Sequence, residues 1–166
     1  MITPEQIIER FSLKAHPEGG WYQRTYQSSL EIESPNGSRP VGTSILYLLQ
    51  RGDISRLHCL DADETWYFHL GSPLKLHMFS EDRYYSILLG DISKNTDAHP
   101  QYTIPAEMIF GAVPCEASKG EYSLVSCSVS PGFIETGFRW SNASSLKEKF
   151  PKYLDLIEKM SHSVES

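Results

Sequence analysis

Cysteine is scarce in this 166-residue chain, basic residues are outnumbered, and no long apolar run occurs. The three cysteines, Cys59, Cys115 and Cys127, are odd in number and lack the spacing of a zinc or disulfide framework. They are expected to be reduced thiols of a cytoplasmic protein. No stretch approaches the roughly 20 apolar residues that span a bilayer. The start, Met1-Ile2-Thr3-Pro4-Glu5, has no basic segment before an apolar run, so neither a secretory leader nor a membrane partner is expected. With 15 Lys and Arg against 21 Asp and Glu, the net charge of -6 argues against a nucleic-acid partner, whose phosphates need a basic face. What remains is 40% hydrophobic and 22% charged, as in an ordinary globular protein. The length suits one domain over residues 1–166.

The ends read as helical and the middle as β. Thr3-Pro4-Glu5-Gln6 is a capping box with proline at the first helical position, and Ile7, Ile8 and Phe11 follow as an apolar face. Pro151 opens a C-terminal helix to about residue 160, with Tyr153, Leu154 and Ile157 at helical spacing. Between residues 21 and 140 short β-rich runs alternate with turns: Trp21–Gln27, Thr43–Leu49, Arg56–Leu60, Thr65–Leu70, Leu74–Phe79, Arg83–Leu89, Tyr102–Ile104, Met108–Val113 and Tyr122–Val129. Regular short strands without intervening helices predict an all-β sandwich or barrel, and a jelly roll is the form that curls two sheets together.

Side chains alternate along a strand. With His58 facing the interior, Arg56 and Leu60 are expected to face it too. On the returning strand Glu64, Trp66 and Phe68 share a face. Arg56, His58, Glu64 and Trp66 then form a small polar cluster in an apolar wall, the usual make-up of a ligand site. The bland alternative is that His58 and Glu64 satisfy one another inside a filled barrel. An inward arginine favours a ligand or a carboxylate partner, because burying a guanidinium without one is costly. His16 and Glu18, beside Gly19 and Gly20, are expected to shape a turn, a lid or a dimer contact.

The run from Gly52 through His58 and Glu64 to Gly71 resembles the first signature of the cupin superfamily. Leu13-Lys14-Ala15-His16-Pro17-Glu18-Gly19-Gly20-Trp21-Tyr22, Ser55-Arg56-Leu57-His58, Asp63-Glu64-Thr65-Trp66 and Val129-Ser130-Pro131-Gly132-Phe133 resemble one uncharacterised group within it, the domain-of-unknown-function or fifth cupin family. That resemblance covers roughly residues 3 to 158. It implies a cupin double-stranded β-helix with short N- and C-terminal helices, commonly a homodimer, similar in fold to seed storage proteins and sugar-nucleotide epimerases. It implies no known reaction. In metal-binding cupins two histidines and a glutamate come from the first motif and a histidine from the second. Here His58 and Glu64 match, Leu60 replaces the second histidine, and Phe110 falls at the last position, counted from Pro105. Two ligands of four are too few for a tight site, so no metal and no cofactor is expected unless His77 faces inward. Glu107, where the family pattern has glycine, is a departure.

Three functions follow as expectations. The first is a pocket for a small polar or anionic molecule, with Arg56, His58, Glu64 and Trp66 as ligand-binding residues. The second is a metal-independent isomerase or epimerase acting on a sugar-nucleotide-like substrate. There His58 and Glu64 would be catalytic and the opposite proton donor unnamed, with Tyr47 and Tyr122 chemically able. The third is an inert storage-like or structural barrel.

Overall fold

Thr3 begins the fold as its sequence dictates. Its hydroxyl accepts from the Gln6 amide while the Gln6 side chain accepts from the Thr3 amide, and helix α1 (Pro4–Phe11) follows. In this computed structural model, which describes residues 2–115 and 122–163, thirteen strands come next. They are β1 (Lys14–Ala15), β2 (Trp21–Gln27), β3 (Glu31–Ile32), β4 (Arg39–Pro40), β5 (Thr43–Gln50), β6 (Ser55–Leu60) and β7 (Asp63–Gly71). After them run β8 (Leu74–Phe79), β9 (Tyr84–Leu89), β10 (Gln101–Ile104), β11 (Ile109–Pro114), β12 (Tyr122–Ser130) and β13 (Phe138–Trp140). Helices α2 (Ala143–Lys149) and α3 (Leu154–Met160) follow.

The strands form a six-stranded sheet in the order β1-β2-β5-β12-β7-β10 and a five-stranded sheet in the order β13-β6-β11-β8-β9, with β3 and β4 pairing separately. This is the jelly roll expected from the strand spacing. Alternation sorts the side chains into layers. On β5, Tyr47 and Leu49 enter the interior core, while Leu48 turns the other way onto Ile7 of α1 and Leu13. On β8, Leu74, Leu76 and Met78 enter the interior. The outer face of the five-stranded sheet is covered by the C-terminal helices, through Leu57, Phe79, Leu146, Phe150, Ile157 and Met160. Each such fully buried side chain contributes about 1.5–3 kcal/mol of transfer free energy.

Two local features differ from the sequence reading. Pro151 opens a short 3-10 turn (Pro151–Tyr153), and the helix itself starts only at Leu154, because Tyr153 lies outside helical geometry with φ -120° and ψ 25°. Helix α2 was not anticipated. It is capped by Asn142, whose side chain accepts from the Ser145 amide. Glu107 takes φ +67°, the left-handed geometry that glycine adopts most easily, so the departure from the family pattern changes the residue and keeps the turn.

Candidate functional site

The interior is divided along the strands. One end is filled by aromatic and aliphatic side chains, among them Tyr47, Trp66, Met78, Phe110 and Val125. The other end is a cavity of about 390 Å³. The same strands line both. On β5 the wall runs from Thr43 and Ile45 at the cavity to Tyr47 and Leu49 in the core. On β12, Val129 and Cys127 face the cavity and Val125 the core. On β7, Glu64 faces the cavity while Trp66 and Phe68 belong to the core. Cross-strand register joins these into rows: Thr43 pairs with Val129, and Val129 with Glu64.

Glu18 is the site residue that strand reasoning missed. It is buried, lines the cavity, accepts from the Ser55 hydroxyl at 3.0 Å and lies 3.4 Å from Nδ1 of His58. The turn carrying it is fastened to the barrel by its backbone. The Arg56 amide and the Arg56 guanidinium both donate to the Glu18 carbonyl, at 3.1 and 3.2 Å. The Tyr47 hydroxyl donates to the Gly19 carbonyl at 2.6 Å. Gly19 is required here. Its φ is +114°, and a Cβ would sit 2.1 Å from the Ile54 carbonyl oxygen. His16 closes the turn by accepting the Glu18 amide on Nδ1 at 3.1 Å, with its ring edge-on to Tyr22 at 4.5 Å.

Alternation mispredicts Arg56 because β6 is bulged. His58 pairs with Phe110 and Ser55 with Ala112, so three steps on β6 span two on β11. Ser55 therefore takes the inward position. Arg56 is half-buried, holds the turn from behind and is not part of the cavity wall. Leu60 does line the cavity, as expected from His58. His58 itself is 1% exposed and lies behind that wall, between Phe110 at 4.4 Å and Phe138 at 5.2 Å. Trp66 is packed in the core against Tyr47 and Phe110 rather than along the cavity. Of the four expected ligand-binding residues, only Glu64 reaches the cavity wall.

His77 faces away from the interior, because Leu74, Leu76 and Met78 on the same strand face into it, and its Nδ1 meets the Tyr84 hydroxyl at 2.8 Å. His69 pairs with the Ser126 hydroxyl at 2.6 Å. The Tyr122 hydroxyl donates to the Ile2 carbonyl among the α1 contacts. The positions of the four cupin ligands are thus held by His58, Leu60, Glu64 and Phe110, and two of these have no donor atom. Among the described residues no group of three or more His, Cys, Asp or Glu side chains is arranged to hold a metal ion. These residues do not fit a cupin metal centre.

Burial dominates the electrostatics. Desolvation raises the Glu18 carboxyl to about 8, against a lowering hydrogen bond from Ser55. Desolvation also raises Glu64, to about 7; the field of His58 opposes this and that of Glu18 adds to it. Trp66 and Cys127 also lower Glu64 slightly, although Glu64 Oε2 and Trp66 Nε1 make no hydrogen bond of full geometry. Desolvation lowers His58 despite the attraction of Glu64, and lowers His16 to about 4. His58 Nδ1 lies 2.6 Å from the Arg56 carbonyl, which can only accept. The neutral ring therefore carries its proton on Nδ1 and leaves Nε2 as an acceptor.

The mouth is built by the segment after β12. Phe133, Glu135, Phe138 and Trp140 line it, facing Tyr22 and Arg24 of β2. Phe133 is anchored by its amide, which donates to the Thr43 hydroxyl at 2.9 Å. Gly132 is held by Arg39, whose Nε donates to its carbonyl at 2.7 Å while Nη1 pairs with Asp61 at 2.9 Å. Burial pushes the Asp61 carboxyl up, but hydrogen bonds from Asn36 and Arg39 outweigh it and hold it below its usual value.

Two facing sheets curled around a polar-ended pocket define a cupin. The chain belongs to the family described as Cupin superfamily (DUF985), whose model matches residues 5–141. It is similar to a hypothetical protein from Leishmania major at 33% identity, covering 98% of this chain and 100% of that one, with a TM-score of 0.87. A Shewanella oneidensis protein is similar at 33% identity, 98% and 99% coverage and a TM-score of 0.85. Oxalate decarboxylase from Bacillus subtilis shares the fold alone, at 14% identity over 90% of this chain and 37% of that one, with a TM-score of 0.55. No curated protein matches the chain.

Proposed function

We propose that the cavity binds a small polar molecule. The observation that carries this is an open volume of about 390 Å³ whose inner end meets two buried carboxyl groups, Glu18 and Glu64. That size and mixture of apolar wall with few polar groups suit a metabolite. An inert filled barrel has no use for such a volume or for uncompensated buried acids. Any anionic part of the ligand belongs at the rim, beside Arg24. The test is thermal unfolding of the protein with sugar nucleotides, sugar phosphates and small keto acids. Stabilisation that disappears in Ile45→Trp, which fills the cavity, supports the reading; no stabilisation by any of them sinks it.

A second reading, a metal-independent isomerase or epimerase, is favoured by the contact between Glu18 and His58. Glu64, on the cavity wall, would take a proton from carbon next to a carbonyl, leaving an enol or enolate. His58, behind it, would tune that carboxylate, and Glu18 would return a proton to the same or the neighbouring carbon. Deuterium uptake from heavy water into sugar-nucleotide substrates measures this step. Uptake that persists in Glu64→Gln would rule the assignment out.

A further inference from the structure

We propose that the ligand presents a protonated amine to the inner end of this cavity, held between Glu18 and Glu64. This rests on reading the cavity as a binding site and names the class of molecule that fills it.

The charges on the wall are unbalanced. Glu18, Glu64 and Glu135 line the cavity, and Arg24 is the one Lys or Arg among its described lining residues. Arg24 sits at the rim, where its guanidinium donates to Gln27 at 2.7 Å and lies over the Phe133 ring. Among the described residues neither inner carboxyl has an ion pair with Lys or Arg. Glu18 has a neutral donor, the Ser55 hydroxyl, and Glu64 Oε2 has no hydrogen bond although the residue is only 7% exposed. The groups facing the two acids are neutral. His58 and His16 are shifted down by burial, and the Tyr47 hydroxyl and Cys127 thiol are shifted well up.

A ligand that displaces water here makes ionised carboxylates costlier unless it brings positive charge. An ammonium group supplies that charge with up to three N–H donors, and each carboxylate retains free acceptor positions. Tyr22, Phe133, Phe138 and Trp140 complete the wall with ring surfaces that attract a cation. A neutral polyol offers donors without charge, and an anion is repelled by the ionised carboxylates.

The three chemistries differ in their proton balance. A bound cation favours the ionised acids, so binding releases protons and tightens as pH rises. A neutral or anionic ligand favours the protonated acids, so its binding weakens as pH rises. Isothermal titration calorimetry with N-methylglucamine, sorbitol and gluconate compares cation, neutral and anion on one carbon skeleton, and choline adds a permanent cation. The expected result is binding of N-methylglucamine, tightening about tenfold from pH 6 to pH 8 with net proton release, and weaker binding of choline, which brings charge without N–H donors. Glu64→Gln, which removes a buried charge, should weaken binding at pH 8 at least about tenfold and flatten the pH slope. Tighter binding of sorbitol or gluconate than of the amines overturns the inference and leaves the binding site standing. Amine binding that is unchanged in Glu64→Gln, or that weakens with pH, also overturns it. If the variant does not fold, the wild-type pH slope decides. Failure of all four probes overturns the inference, while the metabolite panel and Ile45→Trp decide the binding reading separately.

Discussion

Glu18 Oε2 lies 3.4 Å from Nδ1 of His58, although one residue comes from the turn before β2 and the other from the middle of β6. The contact makes the His-Pro-Glu-Gly-Gly turn part of the interior. A turn residue thus delivers a carboxyl to the histidine of β6.

The turn depends on Gly19. Gly19→Ala forces a Cβ to within 2.1 Å of the Ile54 carbonyl oxygen at a φ of +114°. It is expected to lower stability by about 2–4 kcal/mol. Gly37→Ala, at φ +117° with nothing within 4 Å, should cost only about 1–2 kcal/mol. Urea unfolding of both variants measures the difference, and equal losses would show that the turn is not pressed on the barrel.

Stability should fall as pH rises from about 6.5 to 8. Glu18 and Glu64, raised to about 8 and about 7, keep protons in the folded state that the unfolded chain has already lost. Folding therefore binds protons in that window, at up to about 1.4 kcal/mol per pH unit for each proton. The histidines act below it. His16 and His77, each lowered to about 4, make stability rise with pH between about 4 and 6.5, against the carboxyl trend. Unfolding midpoints across pH 5 to 8.5 in the wild type and in Glu18→Gln/Glu64→Gln check this. The decline above pH 6.5 should vanish in the double variant.

Arg39 is 2% exposed, and its guanidinium bridges Asp61 to the Gly132 carbonyl at the cavity mouth. Arg39→Ala leaves a largely buried carboxylate and a carbonyl without their partner, and is expected to cost about 3 kcal/mol. Asp61→Asn in the Arg39→Ala background should cost much less than in the wild type. A double-mutant cycle in denaturant reads the coupling.

Glu107 occupies left-handed backbone and forms an exposed ion pair with Arg139. Both Glu107→Gly and Glu107→Ala lose that pair, so their difference isolates the backbone. Glycine should be the more stable by about 1 kcal/mol. Equal midpoints would mean that the φ of +67° carries no strain.

Local signals in the sequence transferred well. The Thr3 capping box, the Trp21–Gln27 and Leu74–Phe79 strands and the shared face of Glu64, Trp66 and Phe68 all depend on neighbours within a few residues. Non-local geometry did not transfer. A single extra residue between Ser55 and His58 moves Arg56 off the cavity wall, and nothing in Ser55-Arg56-Leu57-His58 marks a bulge. The meeting of Glu18 with His58 needs the fold to close before it exists. Helix α2 escaped because only Leu146 is buried on it, too little for a periodic pattern, although Asn142 was a readable cap. Arg24 lies on an exposed stretch of β2, and its place at the rim follows from the arrival of Phe133 from the far end of β12.

The partition of the interior along the strands has a practical corollary for redesign. Ile45 and Val129 can be varied to reshape the open volume, while Tyr47, Trp66 and Phe110 further along the barrel stay as ballast that keeps it upright. Cavity shape and core packing are thereby assigned to different stretches of the same β-strands.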